Sequence, residues 1–176
     1  MENLNFEISK TNEAASITSI VEVSPNQTGL LIELRKDIDN VDDEKIKKEA
    51  GKYSQKKNGR IAFIAMNYNH PLGYLEAKDK EEFPENIKAK DKLNNLAHLA
   101  RIGVKVEARR KGVAKSLLNK AQEWALKREK IGFWLDYRQD NITAAKFYKN
   151  SGFINIQEYE DKKGIKRFLA IKKFNS

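Results

Sequence analysis

Between Leu96 and Lys173 the chain alternates β-type and helical periodicity in a fixed order, and that order limits the fold more than any other feature. LAHLARIGVKV, residues 96–106, has strand character. A basic, glycine-containing turn then opens a helix from about Gly112 to Arg128, in which Val113, Leu117, Ala121, Trp124 and Ala125 fall on one face. A strand at Ile131–Tyr137 and a helix at Asn141–Asn150, stopped by Gly152, come next. Two strands close the series, Phe153–Tyr159 and Ile165–Lys173, joined by the turn Asp161-Lys162-Lys163-Gly164. Helices with a single apolar face, interleaved with strands, bury that face against a sheet, so the spacing predicts an α/β fold with a mixed sheet.

Upstream, Leu4, Phe6 and Ile8 alternate with polar residues as in a half-buried strand, and Thr11-Asn12 opens a predicted helix towards Val23, before Pro25. Leu30–Leu34 is an apolar patch that fits either type. Asp42 caps a polar helix from about Asp43 to Gln55, ended by Lys57-Asn58-Gly59. Arg60–Tyr68 and Leu72–Lys78 flank Asn69-His70-Pro71, which predicts an antiparallel hairpin with His70 exposed in its turn. Residues 79–95 are charged, break at Pro84 and are expected as a loop on the substrate side. No repeat, low-complexity tract or composition shift divides the chain, so residues 1–176 are expected to form one domain.

Charge is unevenly placed. Residues 1–100 carry 15 basic and 17 acidic side chains, whereas residues 101–176 carry 19 and 8, leaving the halves at −2 and +11. The C-terminal half therefore suits an anionic ligand. Readers of nucleic acid tend to be Arg-rich or to interleave aromatics with a basic stripe, a pattern this chain does not follow, so a phosphate-bearing small ligand is the expected anion. The absence of cysteine removes disulfides, thiolate nucleophiles and Cys-ligated metals, and two histidines, His70 and His98, leave little for any other metal site. No apolar run approaches the roughly 20 residues of a membrane-spanning helix, and Met1–Lys10 has no leader pattern, so a cytoplasmic protein without membrane contact is expected.

Chemistry concentrates in two segments. In Val104-Lys105-Val106-Glu107-Ala108-Arg109-Arg110-Lys111-Gly112-Val113-Ala114-Lys115 a strand enters a helix through a turn with small residues at Gly112 and Ala114. Such a junction gathers free backbone N–H groups and the positive end of the helix dipole, where a diphosphate can sit. Arg109, Arg110, Lys111 and Lys115 add charge around it. In Asp140-Asn141-Ile142-Thr143-Ala144-Ala145-Lys146-Phe147-Tyr148-Lys149-Asn150-Ser151-Gly152-Phe153, Asn141 is the expected N-cap, and Ala144, Ala145 and Tyr148 lie near one helical face.

Together and in this order these segments resemble the GNAT superfamily of acyl-CoA-dependent N-acetyltransferases. Its diphosphate turn is matched by Arg109, Gly112 and Ala114, and its second signature by Asn141, Ala144 or Ala145, Phe147-Tyr148 and Gly152-Phe153. The resemblance implies a central, mostly antiparallel, splayed sheet flanked by helices. It also implies acetyl-CoA as co-substrate, with the pantetheine arm on Ile102, Gly103, Val104 and Val106 and the pyrophosphate on the turn amides of Arg110 to Lys115, Val113 and Ala114 among them. Asn141 would contact the cofactor, and Tyr148 would lie near the thioester sulfur as general acid. A phenol of unperturbed pKa about 10 suits protonation of a thiolate.

His98 stands where several family members carry a Glu on the central strand. A neutral imidazole, unperturbed pKa about 6.5, could take a proton from an ammonium substrate, or His98 could be a contact or core residue. Glu76 on the preceding hairpin is the second candidate base, with a solvent-facing carboxylate as its alternative. The expected reaction is direct acetyl transfer to a primary amine of a small molecule or peptide, with an acetyl-CoA sensor without turnover as the alternative and a homodimer left open. Neither the amine nor the acyl-chain preference is written in these residues.

Overall fold

The computed structural model describes residues 16–39, 43–56, 59–79 and 86–174. Its elements run β1 (Ser19–Glu22), α1 (Thr28–Asp39), α2 (Asp43–Ser54), β2 (Arg60–Asn67), β3 (His70–Lys78), β4 (Leu96–Val104), α3 (Val113–Leu126), β5 (Gly132–Arg138), α4 (Ile142–Asn150), β6 (Ile154–Glu160) and β7 (Lys166–Lys173). They build a seven-stranded sheet of order β1-β2-β3-β4-β5-β7-β6, in which β4 and β5 run parallel and the other pairs are antiparallel. The expected mixed sheet with flanking helices is thus present.

Two expectations need correction at the N-terminal end. The helix predicted from Thr11 towards Val23 is replaced at Ser19–Glu22 by β1, which pairs with Phe63–Met66 of β2. Ile17, Thr18, Ile20, Val21 and Val23 are β-branched, which favours a pleated surface once a partner strand is available. The ambiguous patch Leu30–Leu34 belongs to α1, where Leu31 and Leu34 are buried. The strand predicted at Leu4–Ile8 lies outside the described residues. The hairpin turn is Tyr68-Asn69 rather than Asn69-His70-Pro71, because Asn67 pairs with His70 and Tyr68 takes a left-handed φ of 49°.

Helices cover both faces of the sheet. On one face α3 packs Val113, Leu117, Leu118, Ala121 and Ala125 against Ile61, Phe63, Leu75, Ala97, Leu99 and Phe133, in the largest core cluster. On the other, α1 and α2 cover Ala62, Ile64, Met66 and Tyr74. Beyond β4 that second face is covered differently. Ile87 and Leu93 lie on Leu96, Trp134, Leu169 and Ile171, and the Gln157 side chain anchors the backbone above them. Its Oε1 accepts from the amides of Lys88 at 2.8 Å and Ala89 at 3.1 Å, and its Nε2 donates to the Asn86 carbonyl at 3.0 Å. The part of the expected loop that is described is therefore a strap over the sheet, with a short 3-10 turn at Lys90–Leu93.

The two faces of α3 differ in what they bury. Leu117 is fully buried and Leu126 is 52% exposed. Leu117→Ala is expected to cost about 2–5 kcal/mol in a denaturant titration, and Leu126→Ala about 0.5 kcal/mol or less. Equal costs would contradict the assignment of α3's inward face.

Candidate active site

The site begins where β4 and β5 part. Their parallel pairing covers Leu96, Ala97 and His98 against Gly132, Phe133 and Trp134 and goes no further, so from Leu99 onward the β5-facing edge of β4 is released. A bulge bends β4 at the same level: Glu76 pairs with Arg101 and Ala77 with Leu99, leaving Ala100 unmatched. The extra residue shifts the alternation of faces. His98 stacks on Trp134 and Ala100 packs with the α1–α2 cluster, while Ile102 and Val104 join the α3 cluster. Arg101 and Gly103 consequently turn to the α1–α2 side, the former towards Glu76 and the latter against Tyr74 and Ile38.

A cavity of about 1170 Å³ fills the space between the released edge of β4, the start of α3 and α4. Ile102, Gly103, Val104, Arg109, Arg110, Gly112, Val113, Ala114, Lys115, Asn141 and Tyr148 all line it, joined by Ile38, Leu118, Asn119, Thr143, Ala144, Phe147 and Lys172. Two of the expected cofactor contacts are off its wall. Val106, expected at the end of the strand, lies past it in a 3-10 turn and is 73% exposed, and Lys111, also exposed, does not line the cavity.

The turn before α3 has the form an anion site requires. Gly112 is the N-cap, at φ 80°, and no side chain caps the helix. The first helix-closing bond is from Ser116 N to Gly112 O at 3.0 Å, which leaves the amides of Val113, Ala114 and Lys115 at the open end. Arg110 also adopts a left-handed φ, 61°, and Arg109 Nε donates to the Val104 carbonyl at 3.2 Å, tying the turn back to the end of β4. Arg109 is thus a brace as well as a wall residue.

On the opposite wall Asn141 caps α4 through its Oδ1, which accepts from the Ala144 amide at 3.0 Å. One helical face below it, Tyr148 is 9% exposed and packs against the rings of Tyr137, Phe147 and Phe153 at centroid separations of 5.4, 5.4 and 5.5 Å. Burial, with smaller contributions from Asp136 and Tyr137, pushes its phenol well above the usual range, so it is held protonated at neutral pH.

The two candidate bases lie apart from the cavity wall. His98 sits at the last β4–β5 pairing position, half-buried, its ring stacked on Trp134 at 3.8 Å and 11°. Glu76 does not face solvent: it is fully buried, and its two oxygens accept from Arg35 and Arg101 at 3.2 and 3.0 Å. Burial, only partly offset by the two guanidiniums, raises its carboxyl above the usual range. With both oxygens engaged it is poorly placed to collect a substrate proton. A further carboxylate, Asp136, belongs to neither of the two signature segments. It projects from β5 near the splay, where its Oδ2 accepts from Tyr159 Oη at 2.6 Å and from Arg167 Nε. A lone carboxylate inside the apolar run FWLDY was the available signal.

Residues 30–153 of this chain match the acetyltransferase (GNAT) family over most of its length. The chain belongs to the GNAT acetyltransferase family. It is 32% identical over 98 residues to streptothricin acetyltransferase A of Bacillus subtilis, a stretch covering 56% of this chain and 50% of that protein. It is also 36% identical over 73 residues to a streptothricin acetyltransferase of Escherichia coli, covering 42% of each. The chain thus spans half or less of the curated relatives it matches. The PaiA N-acetyltransferase of Thermoplasma acidophilum, solved with coenzyme A, superposes with a TM-score of 0.66 at 19% identity, over 89% of this chain and 99% of that one. That likeness establishes a GNAT fold, with the splayed, mostly antiparallel sheet expected of it. Among the described residues no helix is long and apolar enough to cross a membrane.

Proposed function

We propose that the chain transfers the acetyl group of acetyl-CoA to a primary amine of a small molecule or peptide by direct attack. The observation that carries this reading is the convergence on one cavity of a released strand edge, an uncapped helix N-terminus and a buried, protonated phenol. Acetyl-CoA, when bound, supplies an acetyl group activated as a thioester. The backbone of Ile102–Val104, unpaired on its β5 side, offers hydrogen bonds to the amide-bearing pantetheine arm. The amides of Val113–Lys115, with Arg110 and Lys115 beside them, suit the pyrophosphate. Asn141, its Oδ1 spent on the cap, keeps its NH2 as a donor for the cofactor.

In the transfer the amine lone pair attacks the carbonyl carbon and the C–S bond breaks. The departing thiolate takes the Tyr148 proton, and the acceptor nitrogen gives up its own. His98 is the proposed acceptor of that proton, because it stands at the apex of the splay on the α1–α2 side, opposite the face that carries Tyr148. His98→Ala is expected to lower kcat about tenfold or more and to flatten the acidic limb of the pH–rate profile. An unchanged profile would remove His98 from the mechanism. The acceptor is proposed to be a small-molecule amine, since the matched relatives are streptothricin acetyltransferases. An enzyme drawing on acetyl-CoA is expected in the cytoplasm. Calorimetric titration with acetyl-CoA tests the cofactor assignment, with saturable one-to-one binding expected and no heat of binding contradicting it.

A further inference from the structure

Arg35, Glu76, Arg101 and Glu49 form a closed ring of charge that belongs to neither the cavity wall nor the proton path. Arg35 is 1% and Glu76 0% exposed. Glu76 takes one hydrogen bond from each guanidinium, Glu49 Oε2 accepts from Arg35 Nη2 at 3.1 Å, and the same oxygen is ion-paired with Arg101 Nη2 at 2.9 Å. The four residues come from α1, β3, β4 and α2. Stability alone gives little reason for such a ring, because apolar residues of similar volume often replace buried ion pairs without loss. What the ring adds to apolar contact is a charge penalty on any other register.

β4 needs that specification. Past the bulge at Ala100, Arg101–Val104 pairs only with β3, since β5 has already parted from it. Were the extra residue absorbed into regular pairing, residues 101 and 103 would turn to the α3 face and 102 and 104 to the α1 face. The guanidinium would then enter the cluster of Leu75, Leu99 and Leu117. A branched side chain would also replace Gly103, where even a Cβ would lie 2.7 Å from Tyr74 and 2.8 Å from Ile38. Arg101 and Glu76 are Cα partners across the strands, so their ion pair acts at the register position that matters.

We infer that the Arg35–Glu76–Arg101–Glu49 ring pins the register of Arg101–Val104, making Arg101 and Glu76 positioning residues for the strand that holds the cofactor. The effect on cofactor binding rests on the function proposed above; the register itself does not.

The test combines Arg35→Met, Glu76→Leu and Arg101→Met. The melting temperature is expected to fall little, because Glu49, the ring member left in place, is 26% exposed and can be solvated. In nuclear Overhauser spectra the Tyr74–Gly103 and Gly73–Val104 contacts of the wild type are expected to split into more than one set. Affinity for acetyl-CoA is expected to fall about 100-fold. One set of contacts with wild-type affinity would overturn the inference. Should the triple variant not fold, Arg101→Lys decides: it keeps the charge but cannot reach Glu76 and Glu49 together. It is expected to lose about tenfold in kcat/KM with the melting temperature unchanged, and wild-type kcat/KM with a single register would overturn the inference. If the wild type binds no acetyl-CoA, the proposed function fails while the cross-strand contacts still decide the register.

Discussion

Gly112→Asp is expected to weaken acetyl-CoA binding at least about 100-fold while leaving the fold intact. Space is not the reason, since a Cβ at Gly112 would meet no atom within 4 Å. The left-handed φ of 80° imposes a strain of about 1–2 kcal/mol on an L-residue, which a globular domain tolerates. The large effect comes from charge. A carboxylate at the N-cap of α3 would stand where the open amides and the helix dipole favour the anionic pyrophosphate. Gly112→Asn separates the two contributions, because asparagine accepts left-handed backbone and carries no charge. It is expected to retain affinity within about tenfold of the wild type. Calorimetry on the three proteins checks this, and equal losses in both variants would show that strain rather than repulsion is responsible.

Tyr148→Phe is expected to lower kcat about 100-fold while the KM for acetyl-CoA changes by less than about threefold. The ring packs against Tyr137, Phe147 and Phe153, contacts that phenylalanine preserves, so the melting temperature should hold. Only the hydroxyl proton is lost. Because burial keeps that proton on the phenol well into alkaline solution, the wild-type rate should show no fall attributable to Tyr148 near neutral pH. A variant with full turnover would show that the thiolate leaves without help from this residue.

The parts of the fold that local patterning controls were legible in the sequence. α3 and α4 repeat apolar residues at helical spacing, Asn141 caps where its chemistry predicts, and the strand-to-helix turn at Gly112 forms as its residues suggest. What local patterning could not show depends on distant partners. Ser19–Glu22 is a strand because Phe63–Met66 lies alongside it, over forty residues away in the chain. Leu30–Leu34 is helical because Leu31 and Leu34 meet the sheet and α2. Glu76 read as an open candidate base because nothing near it in sequence reveals that Arg35 and Arg101 close over it. The bulge at Ala100 has no local signature either, yet it decides which side chains of β4 face the cavity.

The central claim is catalysis of acetyl transfer to an amine, and amine-dependent release of CoA from acetyl-CoA tests it most directly. A thiol reagent reports that release cleanly, because the chain contains no cysteine to contribute background. The panel comprises polyamines, amino acids, aminoglycosides, a streptothricin and short peptides. Stimulation by one class of amine, with the acetylated acceptor seen by mass spectrometry, is the predicted result. Saturable acetyl-CoA binding with no release across the panel would contradict a transferase of amines and leave a protein that senses the thioester without consuming it.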